Sequence, residues 1–517
     1  MPTLKINGKE YTVPPGKTVL EACLENQIEV PYYCYHPGLS VAANCRICLV
    51  KTSTSRKLEP SCALQCSDKM EIETESGDVQ EARKNVLEFM LINHPIDCPI
   101  CDKAGECDLQ DFTYKHRKGL SRFKEEKVLK ETKILGSHIK IWQNRCISCS
   151  RCVRFCDEVS GTSELSLVHR GDHSTVETFP GVPINNPLSL NTVDICPVGA
   201  LKSRDFLYSA RVWFMEKTDS VCASCSTGCN IKINVLQQEI KRLEPRPNLE
   251  VNQHWMCDEG RLHYKYVHSE KRLKRGKGQT NEELVQKLQS YAPEEVALLT
   301  STYATCEELY LFRKLASALK VEHFGVLPAP EGSTHQFKNF TIHADKSPNS
   351  KGVAWILGEP AFTHGFENLT EALKKKKIKA LLVFNGIPDY SFPQALTKHL
   401  SALEYFALCD ILENTWTEKA HTLFAGASFA EKAGTYVNYQ GRLQQIRPAI
   451  PLVGYNKPEL DILQELLMQL KVQEKTWSSE TIFKQLAKEY ETFHDLTYFN
   501  VGNAGVLLNG NGVHRTS

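Results

Sequence analysis

Cys146-Ile-Ser-Cys149-Ser-Arg-Cys152-Val-Arg-Phe-Cys156 spaces four thiols as Cys-x2-Cys-x2-Cys-x3-Cys, a run that serves [4Fe–4S] clusters. Cys196-Pro197, further on, supplies the Cys-Pro that closes such a run. In two-cluster proteins built this way, the last Cys of each run ligates the other cluster. On that logic Cys196 completes the set begun by Cys146, Cys149 and Cys152. Cys156 has no second run of three to serve before Cys196, and is left over.

Three more groups of four flank this one. Cys222-x2-Cys225-x3-Cys229-x27-Cys257 again offers four thiolates for a [4Fe–4S] cluster, with zinc as the alternative. His94-x3-Cys98-x2-Cys101-x5-Cys107 combines three thiolates with one imidazole. That set also describes a structural zinc site, but among such neighbours a [4Fe–4S] cluster is expected. A neutral His in place of a thiolate removes one negative charge and alters the potential. Nearest the start, Cys34, Cys45-Arg-Ile-Cys48 and Cys62 suit an all-cysteine [2Fe–2S] centre whose first Cys rides on a longer loop than in plant-type ferredoxins. Zinc is the alternative here too, and Cys66 the rival to Cys62. The remaining cysteines, Cys23, Cys66, Cys156, Cys306 and Cys409, read as buried apolar residues. His36, His116 and His263 read as structural or surface histidines.

Fifteen of the 20 cysteines thus fall into metal-type groups, and all four groups lie in the first half of the 517 residues. Small modules of this kind draw folding energy from metal ligation. A disulfide framework is the competing reading, but Met1-Pro2-Thr3-Leu4-Lys5 begins no apolar signal segment and no Arg-rich transit pattern. In a reducing compartment such clusters read as metal sites. No apolar run nears the ~20 residues that span a bilayer, and a net charge of +1 gives no sign of nucleic acid. A soluble chain is expected, linked to any membrane only through partners.

The pattern implies an α+β multidomain chain. Residues 3–13 alternate about Asn7-Gly8 as a hairpin, Thr18 to Glu25 reads as a helix, and Leu49–Thr52 and Met70–Glu73 as later strands. That is a β-grasp [2Fe–2S] ferredoxin module, residues 1–77. Residues 78–133 hold the His/Cys3 site, entered by a helix over 78–93 with Val79, Ala82, Val86, Phe89 and Met90 at helical spacing. Lys115 to Lys133 reads as a connector. The 4Fe-4S ferredoxin-like module spans 134–214. The next 4Fe-4S module, 215–271, carries a hairpin at Ile231–Val235 and Glu239–Leu243. Ser269–Gln279 reads as a linker by composition. Residues 272–517 alternate strands (Glu295–Thr300, Val353–Leu357, Ala380–Phe384, Tyr405–Ile411) with helices, one capped by Thr305 and Glu308 with Leu309, Phe312, Leu315 and Leu319 on one face. An α/β domain with a mainly parallel sheet follows. Lys374–Lys377 reads as a solvated helix end. The glycine-rich tail, Gly502 to Gly512, has no helix after it and is no phosphate loop.

The order of motifs resembles the large peripheral iron–sulfur subunits of bacterial NADH–quinone oxidoreductases. The resemblance rests on Pro31-Tyr-Tyr-Cys-Tyr-His-Pro37, Cys45-Arg-Ile-Cys-Leu-Val50, His94-Pro-Ile-Asp-Cys-Pro-Ile-Cys-Asp-Lys-Ala-Gly-Glu-Cys-Asp-Leu-Gln110, Cys146-Ile-Ser-Cys-Ser-Arg-Cys-Val-Arg154 and Cys196-Pro-Val-Gly199. It implies one [2Fe–2S] and three [4Fe–4S] clusters in the order given, the first three on the path from flavin to quinone and the fourth off it. It further implies an FMN-bearing, NADH-binding subunit, a small 2Fe-2S subunit and a two-cluster ferredoxin-like subunit as partners, at the cytoplasmic side of the bacterial inner membrane. The second half is similar to a shortened molybdopterin oxidoreductase domain, carried by Phe429-Ala-Glu-Lys-Ala-Gly-Thr-Tyr-Val-Asn-Tyr-Gln-Gly-Arg-Leu-Gln444. It is too short to enclose a pterin, and Glu259 stands where pterin enzymes usually carry a Lys, so no molybdopterin is expected.

Together these readings describe an electron-relay subunit of a proton-translocating complex, with no substrate site of its own. Arg46, Arg151 and Arg154 are candidate donors near the clusters or contacts to other subunits, and otherwise surface ion pairs. The alternatives are an iron–sulfur subunit of an NAD-linked hydrogenase or formate dehydrogenase, and a zinc-stabilised scaffold.

Overall fold

The computed structural model describes residues 1–116, 121–169, 171 and 173–508. Part of the expected connector (117–120) and of the glycine-rich tail (509–512) lies outside them. The chain forms two compact units, one of Met1–Met215 with Phe337–Phe340, the other of Glu216–Gln336 with the residues from Thr341 on. Among the described residues no helix is long and apolar enough to cross a membrane.

The first unit opens with β1 (Thr3–Ile6) and β2 (Lys9–Thr12), paired antiparallel about Asn7 and Gly8. Both turn residues are left-handed, φ 50° and 79°, as a two-residue hairpin requires. The helix Val19–Glu25 is fixed by a reciprocal cap between Thr18 and Glu21. With β3 (Leu49–Thr52), β4 (Glu59–Pro60) and β5 (Glu71–Glu73) the sheet runs β2-β1-β5-β3-β4, with β1 and β5 parallel. Val19, Leu20, Ala22 and Cys23 of the helix pack on Leu4, Ile6, Val50 and Ile72 of the sheet. This is the expected β-grasp.

The helix Gly77–Leu91 forms, but on a different face from the one expected. It buries Val79, Arg83 and Leu87, while Phe89 is 73% exposed. A charged residue sits in the buried stripe, so a count of apolar positions rotates the face. Beyond the helix Asp108–His116, β6 (Thr132–Ile134) and β7 (Ile139–Trp142) pair with each other. The ribbon β8 (Ser166–Val168) and β9 (Thr175–Glu177) follows, and then β10 (Leu201–Ser203), which returns to β7.

The second unit begins with an antiparallel meander, β11 (Glu216–Val221), β12 (Asn230–Leu236) and β13 (Glu239–Pro245), the last two being the expected hairpin. A parallel sheet follows, built from β14 (Val296–Thr300), β15 (His323–Val326) and, after the short pair β16 (His335–Gln336) and β17 (Thr341–Ile342), β18 (Ala380–Phe384), β19 (Tyr405–Asp410) and β20 (Thr422–Ala425). Its order is β15-β14-β18-β19-β20. Alternate residues of β14 enter different cores, Val296 and Leu298 on one face, Ala297 and Leu299 on the other. Burial on both faces is what helices on either side of a parallel sheet impose. The capping box of Thr305 and Glu308 starts the helix Cys306–Ala318 as expected, and Lys374 ends a helix in an exposed lysine run.

Two expectations fail in this unit. Val353–Leu357 is the end of a helix, Ser350–Leu357, and not a strand. A five-residue apolar run fits either state; here Gly352, Val353, Ile356 and Leu357 face inward at helical spacing, and Val353 donates its N–H to Asn349. Nor is Ser269–Gln279 a free linker. Arg272 is buried in an ion pair with Glu431 at 2.6 Å, and Lys277 exchanges backbone hydrogen bonds with Leu423 beside β20.

A second buried charge group shapes the same core. Lys432 donates to both oxygens of Glu308 (3.1 and 2.9 Å) and to Glu459 (3.1 Å). Burial would depress the ammonium, but Glu308 and Glu459 hold it well above its usual range; burial pushes Glu459 up to about 7. Lys432→Met leaves two carboxylates buried without a cation and is expected to destabilise the unit by about 3–5 kcal/mol. Glu459, raised by burial, binds its proton more tightly folded than unfolded, so the variant's stability falls as pH rises. Urea midpoints at pH 6 and pH 8 check both the size and the sign.

Candidate metal centres

The first group of cysteines closes between the β-grasp helix and the β3–β4 edge. Cys34, Cys48 and Cys62 are buried and Cys45 half-buried. Their thiols form a chain of hydrogen bonds, Cys45 to Cys34 to Cys62 to Cys48. These bonds favour charge on Cys34 and Cys48, pulling Cys48 down to about 7, and disfavour it on Cys45 and Cys62. Cys66, the rival to Cys62, has Glu21 and Glu25 as its charged neighbours.

In the second group Cys98 begins a tight turn over Cys98–Ile100, and Cys107 precedes the helix Asp108–His116. Cys101 is a charged neighbour of both Cys98 and Cys107. His94 shares Asp97 and Arg145 with Cys98. Burial lowers its imidazole to about 4, so the ring is neutral, and its buried Nδ1 meets no hydrogen-bond partner among the described residues. Gly199 faces this group, and a Cβ there would stand 2.3 Å from Cys101 Sγ.

The third group is carried by a loop with left-handed Ser148 and Ser150, the short helix Arg151–Phe155 and the turn at Cys196. Cys152 has Cys149, Cys146 and Cys196 as its leading charged neighbours, and burial raises it. Ser148 N–H donates to Cys146 Sγ at 3.4 Å. Cys156 is fully buried; its thiol takes backbone hydrogen bonds from Leu165 and Glu164, and burial pushes it up to about 12.

Arginines lock these three groups together within their unit. Arg151 donates to Tyr35 O (2.6 Å), next to Cys34, and to Ile195 O (3.1 Å), next to Cys196. Arg154 donates to the carbonyls of Cys34 and Ser40. Arg145 joins Asp97, at 3.0 Å, to Gly199 O, at 3.5 Å. Arg46, by contrast, is exposed in the left-handed region. Tyr33, wholly buried, has Cys107 of the second group and Cys45 of the first among its charged neighbours. Arg145, Gly199 and Tyr33 carry no signature that spacing could reveal.

The fourth group lies in the second unit. Cys222, Cys225, Cys229 and Cys257 are all buried, and burial, with the other thiols adding, raises Cys229 and Cys257. Gly260 N–H donates to Cys257 Sγ at 3.3 Å, and the Thr227 backbone N–H favours charge on the Cys225 thiol. Ser224 does the same for Cys222 and is itself bonded to His263 Nδ1 at 2.9 Å.

Among the described residues no three His, Cys, Asp or Glu side chains converge as a single bare ion would need. The fit to a metal group is carried by the donors and their surroundings. Thiols grouped by fours, N–H groups aimed at sulfur, an unpartnered imidazole nitrogen and a glycine with no room for a Cβ beside a thiol suit iron–sulfur ligation.

Family models match along the chain in the same order. The 2Fe-2S iron-sulfur cluster binding domain matches residues 1–77 and the NADH-ubiquinone oxidoreductase-G iron-sulfur binding region 83–120. The NADH-quinone oxidoreductase subunit 3, ferredoxin-like domain matches 136–202, the Molybdopterin oxidoreductase Fe4S4 domain 215–269, and Molybdopterin oxidoreductase 359–469. The chain is 29% identical over 611 aligned positions to the G subunit of NADH-quinone oxidoreductase from Rickettsia felis, covering 95% of this chain and 91% of the relative. Over 259 residues, half of this chain, it is 45% identical to the NADH-ubiquinone oxidoreductase 75 kDa subunit of Reclinomonas americana, covering 38% of that protein. Over the same length it is 41% identical to NADH dehydrogenase [ubiquinone] iron-sulfur protein 1 of Solanum tuberosum, covering 35% of it.

Proposed function

We propose, because the chain belongs to the family of NADH-quinone oxidoreductase G subunits, that it relays single electrons from an NADH-oxidising flavoprotein toward quinone. Cys34, Cys45, Cys48 and Cys62 would hold a [2Fe–2S] cluster. His94, Cys98, Cys101 and Cys107, then Cys146, Cys149, Cys152 and Cys196, then Cys222, Cys225, Cys229 and Cys257 would each hold a [4Fe–4S] cluster. Bound there, the clusters would supply one-electron redox centres. The observation that carries the reading is the gathering of the cysteines into four groups, the first three tied by Arg145, Arg151 and Arg154.

The chain's own residues set distance and charge. Guanidinium bridges from one ligand loop to the next hold the first three sites at fixed spacing. Backbone N–H groups that face sulfur at Cys146 and Cys257 stabilise negative charge on the ligands. The neutral imidazole of His94 leaves its site one unit less negative than four thiolates would. The flavoprotein subunit, a small 2Fe-2S subunit and a two-cluster ferredoxin-like subunit are the partners of this reading. Its place is the peripheral arm of the complex, on the cytoplasmic side of a bacterial inner membrane, where the whole complex translocates protons. The remnant molybdopterin-type domain would carry no pterin.

Metal analysis of the anaerobically purified chain tests it. The expected content is on the order of 14 iron atoms per chain with matching acid-labile sulfide, and no molybdenum or tungsten. Stoichiometric zinc in place of iron would overturn the relay, and molybdenum with bound pterin would favour a formate dehydrogenase.

A further inference from the structure

The fourth cysteine group is held from two sides by the α/β part of its own unit. β21 (Gly434–Val437) and β22 (Arg442–Ile446) form a hairpin whose turn lies against the loop between Cys225 and Cys229. Three successive loop carbonyls are capped there. Ser226 O accepts from Tyr439 N–H (2.9 Å), Thr227 O from Asn438 Nδ2 (3.2 Å) and Gly228 O from Gln444 Nε2 (2.9 Å). In addition, Ser226 N–H donates to the carbonyl of Asp345 at 3.0 Å.

The next residue, Lys346, brings a charge to the site. Its Nζ donates to the carboxylate of Glu259, two residues past Cys257, at 2.6 Å. The lysine side chain is 14% exposed and the glutamate 55%. Cys225 and Cys257 are among the lysine's charged neighbours. Its backbone is pinned on both sides, N–H to Pro330 O at 3.2 Å and carbonyl to Tyr303 OH at 3.0 Å. Its stem lies on Gly332, where a Cβ would stand 2.3 Å from Lys346 Cε. The ammonium is therefore fixed by contacts other than Glu259 alone.

We propose that Lys346 sets the reduction potential of the fourth centre, with Glu259 holding it beside the Cys225 and Cys257 thiolates. The inference rests on the reading that this group binds a cluster. A fixed, mostly buried cation favours the state carrying one more electron, because field lines there are screened less than in water. Glu259 opposes that effect through its own charge, and does so more weakly because it is the more exposed of the pair. Lys346 is a positioning residue: it acts through the ligands and ligates nothing.

The two charges make opposite demands, which separates an electrostatic role from a merely structural one. The test is an EPR-monitored redox titration of the full chain in its assembled complex, with iron content measured on each sample. In Lys346→Met the ratio of reduced to oxidised fourth centre at the wild-type midpoint should fall about tenfold, a shift of about 59 mV for one electron. In Glu259→Gln the ratio should rise, and Lys346→Arg should stay near wild type. Iron content should not change in any of them. Midpoints that stay put, or that move the same way in both charge-removing variants, overturn the proposal, as does an arginine variant that behaves like the methionine one. If the wild-type chain has no signal that Cys229→Ser abolishes, the four-cluster reading fails at this site and the proposal falls with it.

Discussion

Gly199→Ala is expected to empty the second centre while leaving the fold intact. Gly199 is not among the left-handed glycines, so an alanine backbone is unstrained there. What opposes the methyl group is Cys101 Sγ, 2.3 Å from the position it would take, with Lys103 Cβ and Arg145 Cδ already in contact distance at 3.4 and 3.5 Å. A free thiol could swing aside. A thiol that must ligate cannot, so the conflict falls on metal binding and not on folding. The expected loss is at least the 10–100-fold in metal affinity typical of damage beside a ligand. Iron should drop by about four atoms per chain and one EPR signal should vanish, the others persisting. Gly77→Ala, with nothing within 4 Å of its added Cβ, is the control. A wild-type second signal in Gly199→Ala would show that Cys101 points elsewhere when the centre is formed.

That site shows where sequence reading succeeds and where it stops. Ligand spacing is local, so the groups at 94–107, 146–152 and 222–229 stand out from the chain alone, and the β-grasp hairpin announces itself through Asn7-Gly8. What surrounds the ligands is non-local. Gly199 reaches Cys101 across nearly a hundred positions, Arg151 reaches Tyr35 across 116, and Lys346 meets Glu259 across 87. No periodicity encodes such pairs. The failures have the same origin. Arg83 lies in the buried stripe of its helix, which turns an apolar count onto the wrong face, and Arg272 makes a buried ion pair in a stretch whose composition reads as linker. The apolar run Val353–Leu357 is too short for its period to distinguish helix from strand; its backbone turns back on itself, Val353 N–H to Asn349 O at 3.0 Å, as the end of the helix Ser350–Leu357.

Cys196→Ser and Cys156→Ser are expected to part company at the third centre. Cys196 is a charged neighbour of Cys146, Cys149 and Cys152 alike, so all four thiols share one locale. Cys156 also neighbours Cys152, but its thiol accepts backbone hydrogen bonds from Leu165 and Glu164, and Glu164 is its leading charged neighbour. A thiol so engaged and so buried is a small core residue. Serine there can accept the same N–H groups, so Cys156→Ser should cost about 1 kcal/mol or less and keep the third signal unchanged. Serine at Cys196 replaces a thiolate by a far poorer iron ligand at a site whose other three donors stay in place. That variant should lose the centre or convert it to a three-iron form, with a different EPR line shape and up to about four fewer iron atoms per chain. The reverse pattern, a signal lost with Cys156 and kept without Cys196, would require the Cys156 thiol to leave its place in the helical turn Cys156–Ser160 that continues directly from Arg151–Phe155. The Cys156 carbonyl argues against that, because it accepts from Thr162 at 2.9 Å and Ser163 at 3.1 Å and anchors the residue to the far side of its turn.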